Sequence, residues 1–373
     1  MRIDKSNLAK LESEYKGYLE GELLEKFLED FDIKFSVGHW SAGDFKDRFA
    51  TDGYFPDLDS DIVAQLKRVA KAGVKGVEFH DVVFLDENLK VSEDRISMVK
   101  EAMDKLNIQT SNMNVNMFTD PRWKLGSVTN PKREVREKAL EVLLQAADIA
   151  KEVGSPSLSF WPGQDGWDYN FESNYGHKFE WFLDACLKAA KRCRELGLKF
   201  GVEAKLKEPK EGNMIVPTTH LSGWIAYKVN EELGSKVMGV TIDFGHERMY
   251  GVEPAFTVYT LHKMGVPIIG FHINTAKYKS NDEDRVFGTG DIWCFVDYLY
   301  AAIDIGYDGW FAEDQFTYRM DPTEAMKLSK EFFGNLMKKA LLIYAKKEEL
   351  EKARETGDQA EILNLIKKII VAR

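Results

Sequence analysis

The sequence predicts an α/β fold, a (β/α)8 TIM barrel with a C-terminal helical arm, and two observations carry that expectation. Short apolar runs alternate with amphipathic helical stretches almost from end to end of the 373 residues, the pattern of parallel strands joined by crossover helices. Isolated polar residues also recur at the C-terminal ends of those runs, which in such a barrel is the face that carries active sites.

The elements follow in order. Residues 1–30 read as a charged, helical lead-in. Residues 31–325 hold the barrel, with buried strands expected at 33–38 (IKFSVG), 76–80 (GVEFH), 110–115 (TSNMNV), 155–161 (SPSLSFW), 199–205 (KFGVEAK), 237–243 (VMGVTID), 268–274 (IIGFHIN) and 309–314 (GWFAED). Helical periodicity is plainest over 61–73, 133–154 and 179–197, each ending in a Gly placed to cap the helix. Residues 326–373 are helical throughout. Their last part has too little apolar surface to fold alone, and the segment LNLIKKII asks for a partner, expected on a neighbouring subunit. The alternative architecture, an open doubly wound sheet, lacks the Gly-x-Gly-x-x-Gly turn after its first strand.

Composition bounds the function. A net charge of −10 leaves no basic stripe to neutralise phosphates, so nucleic acid is not an expected partner. Cys186, Cys193 and Cys294 are the only cysteines, with no Cys-x-x-Cys spacing; reduced thiols and a cytoplasmic location are expected, and no zinc–thiolate site. No apolar run approaches the ~18 residues of a membrane span, and no signal segment opens the chain.

The residues that suggest chemistry are carboxylates and histidines at strand ends. Glu203, Asp243, His272 and Asp314 each close a predicted strand, with Lys205, His246 and Asn274 close by. In the segment SNDEDRVFGTGD, Asp282 and Asp284 are two apart and in an extended chain point the same way. An oxygen-rich set with an imidazole suits a hard divalent cation.

Taken together these segments resemble the xylose isomerase family over most of residues 33–320. FSVGHWSAG resembles the family's opening segment with its pocket tryptophan, Trp40, and GVEFHD carries the ring-opening histidine at His80. NMFTDPRW and SFWPGQDG resemble the segments holding the pocket aromatics, Phe118 and Trp161. VEAKLKEPKEG resembles the Glu-x-Lys-x-x-Glu-Pro motif of Glu203, Lys205 and Glu208. VTIDFGHERMYG, FHIN, DEDRVFGTGD and YDGWFAED follow in the family's order.

The resemblance implies an aldose–ketose isomerase with two divalent cations, Mg2+ or Mn2+, with Co2+ as a third option. A first metal would use Glu203, Asp243, Asn274 and Asp314, and a second Asp243, His246, Asp282 and Asp284. His80, Lys205 and Asp284 would be catalytic, with Lys205 stabilising the carbonyl oxygen during a hydride shift. Trp40, Phe118, Trp161 and Glu208 would contact the sugar. Phe49 would complete a neighbour's pocket, which implies a homo-oligomer, a tetramer or dimer.

Three positions depart from the family pattern: Asp243 stands where Glu is usual, Asn274 where Asp is usual, and Val83 where an Asp follows the histidine. The first two lean toward related sugar epimerases and inosose-processing barrels that use one metal and proton transfer. There His272 and Glu313 are the alternative ligands. A non-catalytic descendant has only Asn274 and Val83 in its favour. A DNA repair nuclease on the same barrel is disfavoured by the acidity.

Overall fold

The computed structural model describes residues 1–208 and 212–371. Eight parallel strands close a barrel: β1 (Lys34–Gly38), β2 (Gly76–His80), β3 (Gln109–Val115), β4 (Ser157–Phe160), β5 (Lys199–Glu203), β6 (Met238–Asp243), β7 (Ile268–Ile273) and β8 (Trp310–Glu313). Each pairs with its neighbours in chain order and β8 returns to β1. All eight fall on the expected runs. These runs are apolar on both faces because helices cover the outside and side chains fill the inside.

A helix follows every strand. The three helices read from periodicity lie at Ile62–Lys71, Arg133–Glu152 and Tyr175–Leu196. The last is stopped by Gly197 at φ +75°, a backbone state that glycine adopts without steric cost. A short extra helix, Phe244–Tyr250, starts directly at the end of β6, with Asp243 as its N-cap.

The lead-in forms two helices, Lys5–Ser13 and Gly21–Asp30. They bury Leu11, Phe27 and Leu28, and the Asn335 side chain pairs with the backbone N–H and C=O of Leu19 at 2.8 Å each. Helix Pro322–Tyr344 is the eighth barrel helix, with Phe333 packed against Phe35 and Phe311. The expected division at residue 325 therefore falls inside one helix.

The last helices, Lys347–Thr356 and Gln359–Val371, fold back on this same chain. Leu350, Ala353 and Ile370 are buried, while Ile362, Ile366 and Ile369 pack against the core. Part of the apolar face thus packs on its own barrel, while Leu363 remains half exposed. Among the described residues no helix is long and apolar enough to cross a membrane.

Candidate functional site

The cavity at the C-terminal ends of the strands has a volume of about 420 Å³, ample for a monosaccharide by the usual size of small-molecule sites. Trp40, His80, Phe118 and Trp161 line one side, and Glu203, Lys205, Glu208, His246, His272, Asp282, Asp284 and Asp314 the other.

Strand geometry makes the polar cluster. Asp243 of β6 and His272 of β7 are register partners. Glu203, Asp243, His272 and Asp314 each offer an atom within 4.8 Å of the others, a four-residue group able to hold a metal ion. His272 Nδ1 lies 3.1 Å from Glu203 Oε2 and 3.4 Å from Asp314 Oδ2, yet makes no well-aligned hydrogen bond to either. A buried ring nitrogen aimed among carboxylate oxygens is the arrangement a cation would complete.

A second group, Asp243, His246 and Asp282, adjoins the first. His246 stands between carboxylates, Nδ1 3.2 Å from Glu203 Oε1 and Nε2 3.0 Å from Asp282 Oδ2. The same Asp282 oxygen is 2.7 Å from Lys205 Nζ, which also reaches Glu208 Oε2 at 2.8 Å.

The electrostatics follow from burial and these pairings. Burial opposes the charged form of Glu203, but His272 and His246 overcome it and hold the carboxyl well below its usual range. Burial likewise opposes ionised Asp282, and Lys205 with His246 reverses it. Asp243 is pushed up to about 7 by burial, with Asp282 and Glu203 adding to it against His246. Asp284 also rises, through burial and its neighbours Asp282 and Asp314. Burial works against the cationic forms of both histidines, yet the carboxylates raise His246 and His272 well above the ordinary value.

Several expected roles shift. His272, the alternative ligand, lies in the four-residue group. The Asn274 Oδ1 accepts from the Gly245 N–H at 2.9 Å, so its amide nitrogen faces the site and donates to Asp243 Oδ2 and Asp284 Oδ1. An NH2 group has no lone pair to give a cation.

Asp284 lines the cavity but stands outside the second group, with a positive φ of 42°, a region that Asp enters more readily than most non-glycine residues. Glu313 is fully buried on the opposite face of β8, near Ser329 of the following helix, and does not line the cavity. Phe49 is 80% exposed and stacks on Arg48, away from its own chain's cavity.

Among the described residues His80 has no carboxylate partner. Asp81 instead accepts from the Asn116 N–H at 2.7 Å, and Asp86 from the N–H groups of Asn88 and Lys90. The His80 ring stacks on Trp40 at 4.3 Å, and burial with nearby His39 and His272 keeps it neutral.

Some site residues were not foreseen. Glu78, Asn112 and Asn114 form a polar layer inside the barrel beneath the cluster. Alternation along β2 and β3 puts Glu78 on the face of His80, and Asn112 with Asn114, which is the signal that finds them. Gln164, Phe316 and Tyr318 complete the cavity wall from loops.

The sequence profile of the xylose isomerase-like TIM barrel family matches residues 66–336. The chain belongs to that family. Among solved structures, family-type folds recur at low identity. A D-tagatose 3-epimerase-like protein is 19% identical, with a TM-score of 0.60, covering 82% of this chain and 98% of its own. L-ribulose 3-epimerase is 15% identical, with a TM-score of 0.62 and coverage of 86% and 99%. A 3-keto-D-glucoside 4-epimerase from E. coli is 14% identical, with a TM-score of 0.58 and coverage of 81% and 98%. At these identities the likeness is one of fold.

Proposed function

We propose that this family member is a divalent-metal-dependent keto-sugar epimerase that works by proton transfer beside a carbonyl. The observation that carries the reading is the group of Glu203, Asp243, His272 and Asp314, which brings an imidazole among three carboxylates, while Asn274 turns its NH2 toward Asp243 and Asp284. These residues would hold one cation such as Mn2+, Mg2+ or Co2+. Bound there, it would polarise the sugar carbonyl and so acidify the neighbouring C–H.

The chain's own groups supply the rest. Glu203, held ionised, takes the proton from carbon on one face. A proton drawn from solvent is delivered to the other face through Asp314, carried by the end of β8, and Glu203 releases its own to solvent. Lys205, kept cationic by Asp282 and Glu208, meets the negative charge that builds on oxygen. Trp40, Phe118 and Trp161 wall the site against water and present flat faces to the sugar. Three structural neighbours bear epimerase names, which supports keto-sugars as the substrate class to test first.

A second reading, the two-metal aldose–ketose isomerase, is favoured by one observation: the Asp243, His246 and Asp282 group. In that group Asp282 Oδ2 is engaged by Lys205 and His246, while Asp282 Oδ1 and His246 Nδ1 are buried without a hydrogen-bond partner. In either reading Phe49, exposed at the mouth loop, is proposed to meet a second copy of this chain.

The test is turnover of ketopentoses, ketohexoses and keto-glycosides by metal-stripped protein reloaded with Mn2+ or Mg2+. Epimer formed only with metal is expected. Ketose formed from aldose would favour the second reading, and no turnover of any sugar would overturn both.

A further inference from the structure

Glu78 takes no part in the reaction outlined above, yet it is a buried carboxylate in the middle of the barrel, 3% exposed. We infer that Glu78 dictates which nitrogen of His272 faces the cage, and so acts as a positioning residue for the bound cation. This rests on the metal-dependent reading of the site.

The argument runs through hydrogen-bond polarity. Glu78 Oε2 accepts from Asn114 Nδ2 at 2.7 Å and lies 3.4 Å from Asn112 Nδ2. Below it, the Asn112 oxygen accepts from Ser157 Oγ at 2.6 Å and its nitrogen donates to Ser159 Oγ at 2.9 Å. Both amides turn their N–H groups to Glu78, the partners a carboxylate accepts.

His272 Nε2 stands 3.1 Å from the same Glu78 oxygen. Because a carboxylate only accepts, Nε2 carries the proton. A ligating imidazole must give up one proton; with Nε2–H held by Glu78, the proton given up is the one on Nδ1, the atom lying among the Glu203 and Asp314 oxygens.

The backbone favours this aim. The ladder between β2 and β3 shifts register between Val77 and Glu78, an irregularity of the kind that redirects a side chain beside a site. Glu78 thus reaches across the barrel from β2 to β7. A carboxylate holding the far N–H of a ligating histidine fixes the ring and raises its basicity toward the metal.

Isothermal titration of the full-length, metal-stripped protein with MnCl2 tests this. Glu78→Gln is expected to weaken binding about 10–100-fold, the usual effect of losing such a partner. In a His272→Ala background the same change is expected to cost nothing further, since its effect passes through the ring. Unchanged affinity in Glu78→Gln, or an equal loss with His272 absent, overturns the assignment.

If Glu78→Gln does not fold, nitrogen-15 NMR of histidine-labelled wild-type protein loaded with Zn2+ decides. A His272 signal with Nε2 protonated and Nδ1 bound to metal is expected; the reverse overturns the proposal. Wild-type protein that binds no divalent cation overturns the metal reading itself, whereas binding insensitive to Glu78 overturns this inference alone.

Discussion

Trp40 donates its indole N–H to Asp314 Oδ1 at 2.8 Å, so one wall of the sugar pocket is hydrogen-bonded to a member of the cation cage. This bond links the aromatic wall to the cage. Trp40→Phe keeps a ring and removes the donor. A neutral N–H to a carboxylate contributes about 1.5–3 kcal/mol, part of which water replaces at this half-open edge. The expected outcome is a several-fold rise in KM together with weaker Mn2+ binding and a melting temperature lowered by about a few degrees. A rise in KM with metal affinity intact would show that the two are independent.

The ring of Trp161 sits directly over Gly163. A Cβ added at Gly163 would lie 2.4 Å from the indole, and the ring would have to move. Gly163→Ala is thus expected to displace the wall and raise KM by roughly tenfold, about 1.4 kcal/mol of lost binding. Circular dichroism should show a folded barrel. Wild-type KM in a folded Gly163→Ala protein would contradict the placement of Trp161 in the pocket.

Asp282 distinguishes one metal from two. Its Oδ2 already serves Lys205 and His246, so Asp282→Asn is expected to leave one bound cation per chain while releasing Lys205 and lowering kcat by a factor of about 10–1000, the range for losing a positioned charge near the developing oxyanion. Metal analysis after gel filtration reads the stoichiometry. Two cations in the wild-type protein falling to one in Asp282→Asn would favour the isomerase reading.

Asp81 sets a pH dependence away from the cage. Burial pushes its carboxyl from an ordinary 3.8 to about 7, so the folded chain holds the proton more tightly than the unfolded one. The stabilisation is complete below pH 3.8 and is lost as pH rises through about 7. Asp81→Asn, which keeps an acceptor for the Asn116 N–H, should match wild type near pH 4. Above pH 7 it should be more stable by about 1–4 kcal/mol. Urea melts at the two pH values check this, and a difference that does not change with pH would contradict it.

The barrel was legible because its signal is local. Each strand is a short run buried on both faces, and each helix carries its own period and cap. The cage was harder because His272 and Asn274 alternate on one strand and point the same way. Which of them joins the carboxylates depends on depth, and on the Gly245 N–H that claims the Asn274 oxygen, a contact between segments distant in sequence. Glu313 and Asp314 are neighbours on opposite faces, and only the barrel's closure decides which looks inward. The C-terminal helices showed an unpaired apolar face, but the surface that receives them is assembled from helices Ile292–Asp304 and Pro322–Tyr344.

Proton transfer from carbon is the central claim, and turnover in D2O tests it most directly. The substrate found in the sugar panel would be converted by Mg2+-loaded protein, and the product examined by NMR and mass spectrometry. Epimerisation through Glu203 and Asp314 predicts one deuterium at the inverted carbon, delivered from the second face. Product formed without deuterium, with its hydrogen moved to the adjacent carbon, would contradict the account and establish a hydride shift.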